Sequence, residues 1–128
     1  MESDLEKLEF KDKRILVVDD EPFVREVIAE QLSFKGAVVV EAQDGKVAFD
    51  LLLDSDFDLV LSDIRMPECS GVELLKMIKE SDKKMPPVLM MSAFEEVNTD
   101  RLKNLGAKEF LLKSGDFTQI EEAIRKLL

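Results

Sequence analysis

The chain has 128 residues, 45% hydrophobic and 36% charged, which suits one domain around a single core. Its formal net charge of −10, from 28 acids against 18 bases, opposes binding to nucleic acid or anionic lipid, whose phosphates call for a concentrated basic face. With no histidine and one cysteine, it excludes His-based triads, His zinc sites and an internal disulfide framework. No apolar run approaches the roughly 18 residues of a membrane span. The acidic start Met1-Glu2-Ser3-Asp4 is unlike a basic signal peptide, so a cytoplasmic location away from membranes is expected.

Residues 1–12 read as a charged leader carrying Leu5, Leu8 and Phe10, docked weakly if at all on a domain spanning 13–128. Ile15-Leu16-Val17-Val18 is a buried strand that ends in Asp19-Asp20-Glu21. Pro22 suits the first turn of a helix whose apolar stripe is Phe23, Val24, Val27, Ile28, Gln31 and Leu32, with Gly36 as its stop. Val38 to Val40 form a second strand. Asp44-Gly45 opens a helix with Val47, Ala48, Leu51 and Leu52 inward.

Leu59-Val60-Leu61 is a third strand that runs to Asp63, and Pro67 stops its continuation. Ser70 with Glu73 reads as a capping box ahead of Leu74, Leu75 and Ile78. Val88 to Met91 form a fourth strand ending at Ser92-Ala93. The helix predicted over 95–105 is the weakest, because Asn98-Thr99-Asp100 suit a cap better than an interior. Phe110-Leu111-Leu112 is the fifth strand, ending at Lys113. Asp116 is placed to cap a last helix with Ile120, Ala123, Ile124 and Leu127 inward. Strands alternating with helices predict an α/β domain with a parallel sheet and helices on both faces. The chain is either a stand-alone domain or one that ends at a domain boundary.

The residues that follow the strands carry the chemistry. They are Asp19 and Asp20, then Asp63, Ser92 and Lys113. In a doubly wound sheet all of them reach the carboxyl edge, where ligands bind. An Asp after a strand is commonly a turn cap, and a Ser or Lys there is commonly solvated. Converging carboxylates repel one another, however, and a hard divalent cation such as Mg²⁺ relieves this. A cation and a lysine around an acidic nucleophile suit phosphoryl transfer.

The segments Val17-Val18-Asp19-Asp20-Glu21-Pro22, Ser62-Asp63-Ile64-Arg65-Met66-Pro67, Met91-Ser92-Ala93 and Leu111-Leu112-Lys113 closely resemble the receiver domains of two-component response regulators, over about residues 12–128. The resemblance implies a CheY-like, doubly wound five-stranded parallel sheet of order 2-1-3-4-5. It implies a regulator rather than an enzyme, phosphorylated on Asp63 by a histidine kinase or a phosphotransfer protein and assisting its own phosphorylation and dephosphorylation. Asp20, Asp63 and the main-chain carbonyl of Arg65 would bind Mg²⁺, with Asp19 acting through water. Ser92 and Lys113 would hold phosphoryl oxygens, Ser92 and Phe110 would switch, and Arg65 and Phe94 would influence water access. Gly71 and Gly106 also fall where the family often has glycine.

Output is expected through contact with a downstream protein, with no nucleic acid bound by this domain. One departure stands out. The family usually has proline after this lysine, often in a cis peptide, but Ser114-Gly115 follows here. A cis bond before serine costs roughly 3–4 kcal/mol, so a different turn is expected.

Other readings fare worse. Ile15 to Glu21 resembles a Walker B strand, yet no phosphate-cradling G-x-x-x-x-G-K-[ST] occurs among the five glycines. A flavodoxin-like cofactor binder would want aromatic residues around the flavin, and the chain has no Trp or Tyr. A degenerate receiver acting only as an interaction module would not keep Asp20, Asp63, Ser92 and Lys113 together.

Overall fold

The computed structural model describes residues 8–93, 98–113 and 117–128. The elements alternate throughout. They are β1 (Arg14–Val18), α1 (Pro22–Phe34), β2 (Val38–Ala42), α2 (Gly45–Asp54), β3 (Leu59–Asp63), α3 (Gly71–Glu80), β4 (Val88–Ser92), α4 (Thr99–Asn104), β5 (Glu109–Leu112) and α5 (Phe117–Leu127). The sheet has five strands in the order β2-β1-β3-β4-β5, and every pairing is parallel. This is the predicted doubly wound topology. No helix among the described residues is long and apolar enough to cross a membrane.

Strand composition follows position in the sheet. β3 and β4 are buried along their whole length and β1 from Ile15 onward, whereas the edge strands β2 and β5 are only partly buried. Alternation divides the core in two. Leu16, Val18, Val60 and Met90 face α2, α3 and α4, through Ala48, Leu52, Leu74, Leu75 and Leu102. Ile15, Val17, Leu59, Leu61, Leu89 and Met91 face α1 and α5, through Ile28, Leu32, Ala123 and Ile124.

The helix starts are set by local chemistry. Asp44 and Ser70 accept from the amides of Val47 and Glu73 at 2.9 and 3.2 Å. The expected box at Ser70 is half formed, because its hydroxyl donates to the Glu73 carboxylate at 3.4 Å. Asn98 caps α4 through the amide of Arg101 at 3.0 Å, which confirms that 98–100 start a helix. The predicted segment 95–97 lies outside the described residues, as do Phe94, the Ser114-Gly115 turn and the Asp116 cap.

Two expectations need correction. α1 buries only part of its predicted stripe. It buries Ile28, Ala29 and Leu32, with Val24 packed beside them, while Phe23 is 78% and Phe34 63% exposed and Val27 also faces out. The described part of the leader, residues 8–12, is also more firmly held than its charge implied. Phe10 is buried between α1 and α5, and its amide donates to the Lys35 carbonyl at 2.8 Å. Glu9 takes a bidentate pair from Arg125 on α5 at 2.7 and 3.0 Å. Gly36, at φ +94, lets the leader cross closely, since a Cβ there would come within 2.9 Å of the Lys11 backbone.

Candidate functional site

The alternation that builds the α1–α5 core also builds the site. Val17, Leu61 and Leu111 point to that face, so Asp19, Asp63 and Lys113, each two residues farther on, share it at the carboxyl edge. Lys113 Nζ lies 2.7 Å from Asp19 Oδ2 and 3.4 Å from Asp63 Oδ2. Asp19 and Asp63 are buried, and Asp20 joins them so that one carboxylate oxygen from each lies within 4.8 Å of the others. Four of the predicted residues therefore meet in one place.

The two buried carboxylates are held from behind. Asp19 Oδ1 accepts from the amide of Glu21 at 3.0 Å, and Asp63 Oδ1 accepts from the amide of Ile64 at 2.9 Å. Gly71, at the start of α3, donates its amide to the Ile64 carbonyl at 2.8 Å. A Cβ at Gly71 would run into the carbonyl oxygen of Asp63 and the side chain of Met90, so glycine is what allows α3 to begin against the end of β3. Ser92 ends β4 one residue beyond the partner of Asp63, is buried, and accepts from the Lys113 amide at 2.7 Å through its carbonyl. Arg65 is exposed two residues past Asp63. Phe110 is half-buried on the opposite sheet face, against the core that contains Leu102 of α4.

The electrostatics set Asp63 apart. Burial pushes its carboxyl above the usual value; Lys113 pulls it down, and neighbouring Asp19 pushes it up again. Burial alone would lower the Lys113 ammonium, but the hydrogen bond and charge of Asp19, with Asp63 behind them, outweigh it and raise the group. Lys113 thus serves Asp19 more closely than Asp63, consistent with the two distances. Three carboxylates against one lysine leave the pocket negative. All the clustered acid donors are hard oxygens, which suits a divalent cation of the Mg²⁺ type.

Two residues at the site were not singled out from the sequence. Arg25 of α1 donates from Nη1 to the Asp19 carbonyl at 2.8 Å and from Nε to Glu41 Oε1 at 3.0 Å. A cation that reaches a main-chain oxygen leaves no periodic or motif signal by which to find it.

Residues 15–125 match the response regulator receiver domain family. The chain is 34% identical over 116 residues to the regulatory protein AtoC of Escherichia coli, covering 90% of this chain and 25% of that protein. It is 36% identical over 117 residues to the response regulator MprA of Mycolicibacterium vanbaalenii, covering 90% of this chain and 50% of that one. It thus spans between a quarter and a half of these relatives. Among solved structures, the response regulator TrrA of Thermotoga maritima in complex with Mg²⁺-BeF superposes with a TM-score of 0.82 at 36% identity, covering 91% of this chain and 99% of that one. TrrA in complex with the histidine kinase ThkA gives a TM-score of 0.78 at 35% identity, with 91% and 98% coverage. The chain belongs to the response regulator receiver domain family. It is a phosphorylation-dependent signalling domain of the two-component type, a signalling class rather than a conventional enzyme.

Proposed function

We propose that Asp63 is the phosphoacceptor and that the donor is the phosphohistidine of a histidine kinase or a phosphotransfer protein. The observation that carries this is a buried carboxylate at the end of a central strand, sharing Lys113 with Asp19 and clustered with Asp20. TrrA, caught with a histidine kinase, supports the kinase partner. Asp20, Asp63 and the Arg65 carbonyl would hold Mg²⁺, with Asp19 acting through water, and the ion would offset charge on the phosphoryl oxygens.

The Asp63 Oδ–phosphorus bond forms as the phosphorus–nitrogen bond to the donor imidazole breaks, and the imidazole keeps that electron pair. Lys113 neutralises charge beside the new acyl phosphate, and the Ser92 hydroxyl donates to another phosphoryl oxygen. Phe110 then turns inward, and the α4 side of the domain carries the change. Water later cleaves the acyl phosphate and restores the Asp63 carboxylate; Arg65 and Phe94 set its access, so the domain assists its own dephosphorylation. The receiver unit is residues 13–128, with 1–12 as a leader of which residues 8–12 pack against it. It works in the cytoplasm and signals to a downstream protein by contact rather than by binding nucleic acid itself.

Intact-mass measurement after treatment with acetyl phosphate and Mg²⁺ tests the assignment. The wild type should gain one phosphoryl mass and Asp63→Asn none. A variant that still gains it in full makes Asp63 the wrong residue.

A further inference from the structure

We infer that Arg25, oriented by Glu41, is a positioning residue for the acidic loop and sets the affinity of the site for its divalent cation. The inference rests on the reading that Asp20 and Asp63 hold that cation.

The pairing of β1 with β2 ends at Val18 opposite Ala42. Asp19 is the first residue past that ladder, where the chain must turn into α1 while still aiming two carboxylates at the pocket. Its amide keeps one last bond to β2, donating to the Ala42 carbonyl at 3.1 Å. Its carbonyl has no strand to pair with and accepts instead from Arg25 Nη1 at 2.8 Å. The same guanidinium donates from Nε to Glu41, the residue before Ala42. Two consecutive residues of β2 therefore grip Asp19 at both its amide and its carbonyl, one directly and one through Arg25.

That carbonyl belongs to the peptide leading into Asp20, so its orientation sets where the Asp20 carboxylate lies. The Arg25 side chain is only 17% exposed, which makes the grip a partly buried one. The planar fork of arginine can meet the carbonyl and the carboxylate together. Lysine, a single point charge, cannot do both in the same geometry. Partners behind a metal ligand typically change metal affinity by about 10–100-fold when removed.

The test uses the full chain and reads Mg²⁺ affinity from the rise of melting temperature with Mg²⁺ concentration, because binding to the native state alone stabilises it. Asp20→Asn is the reference variant. Arg25→Met should weaken Mg²⁺ binding roughly tenfold, over and above any drop in the metal-free melting temperature from the unpaired Asp19 carbonyl. Arg25→Lys should restore only part of the affinity, and Glu41→Gln should lose a smaller part. If Asp20→Asn loses Mg²⁺ binding but Arg25→Met and Glu41→Gln keep wild-type affinity, the Arg25 inference is overturned and the site stands. It is overturned equally if the two variants lower only the metal-free melting temperature. If Asp20→Asn itself binds Mg²⁺ like the wild type, the reading of the site fails and the inference falls with it.

Discussion

Asp63 is under opposing demands. As the proposed phosphoacceptor it must be ionised to attack, yet burial and the neighbouring Asp19 both favour its protonated form, and Lys113 offsets them only in part. Because its pKa is raised in the folded state, the native protein holds a proton there that the unfolded chain has already lost. Stability therefore falls as pH rises from the ordinary carboxylate value of 3.8 through the raised one, and remains lowered at neutral pH. Asp63→Asn removes that loss and leaves Lys113 its 2.7 Å partner, Asp19. In chelator, the variant should be more stable than the wild type at neutral pH, read as a higher melting temperature. The gap should close as pH falls toward the ordinary value. A variant less stable than the wild type at neutral pH would show that pairing with Lys113 outweighs burial. This residue and its partners were legible in the sequence because each directly follows an apolar run, so alternation along the strand fixes its face. Arg25 and Glu41 were not legible, because their roles depend on a main-chain carbonyl and on how α1 lies over β2.

At the level of elements, hydrophobic patterning found the strands and helices of the described residues but drew the inner stripe of α1 too wide, joining an outer row to the buried one. Val24, Ile28 and Leu32 form one row along the helix, while Phe23 and Val27 form the adjacent row, and apolarity alone does not choose between them. The polar Gln31 continues the second row and marks it as outer. The leader was misjudged for a related reason: a lone Phe10 among charges gives no period to read. Phe10→Ala should cost about 3–5 kcal/mol in denaturant unfolding, the usual range for deleting a buried phenylalanine. A loss well under 1 kcal/mol would return the leader to the weakly docked state its composition implies. Phe110 poses a different question, since it is half-buried where Asp63, on the opposite sheet face, is enclosed. If it is the switch, Phe110→Ala should leave Asp63 phosphorylation intact and abolish the beryllofluoride-dependent change in amide exchange over α4. If that change persists in the variant, Phe110 is fixed core and the coupling runs elsewhere.

Across the whole molecule, the outer row of α1 gains significance from where it lies. The chain carries a net charge of −10, yet Phe23 and Val27 leave apolar side chains exposed on one helix. α1 begins at Pro22, two residues after Asp20, so Phe23 stands in the turn next to the acidic pocket. If Asp63 takes its phosphoryl group from a protein, as proposed, that donor would pack near this turn, and exposed apolar residues there are the kind that mark a docking surface. Acetyl phosphate is small enough to need no such surface. Truncating a hot-spot residue, the role Phe23 would have in such an interface, costs about 2 kcal/mol or more, close to thirtyfold in affinity. Phe23→Ser should therefore slow phosphotransfer from a histidine kinase by tenfold or more at sub-saturating concentrations, by the same reasoning. It should leave the rate of labelling by acetyl phosphate unchanged and the melting temperature close to wild type, since the ring is 78% exposed. Equal slowing with both donors would place Phe23 in the pocket rather than on the docking face. Equal rates with both donors, unchanged from wild type, would mean that the kinase approaches Asp63 over another part of the carboxyl edge.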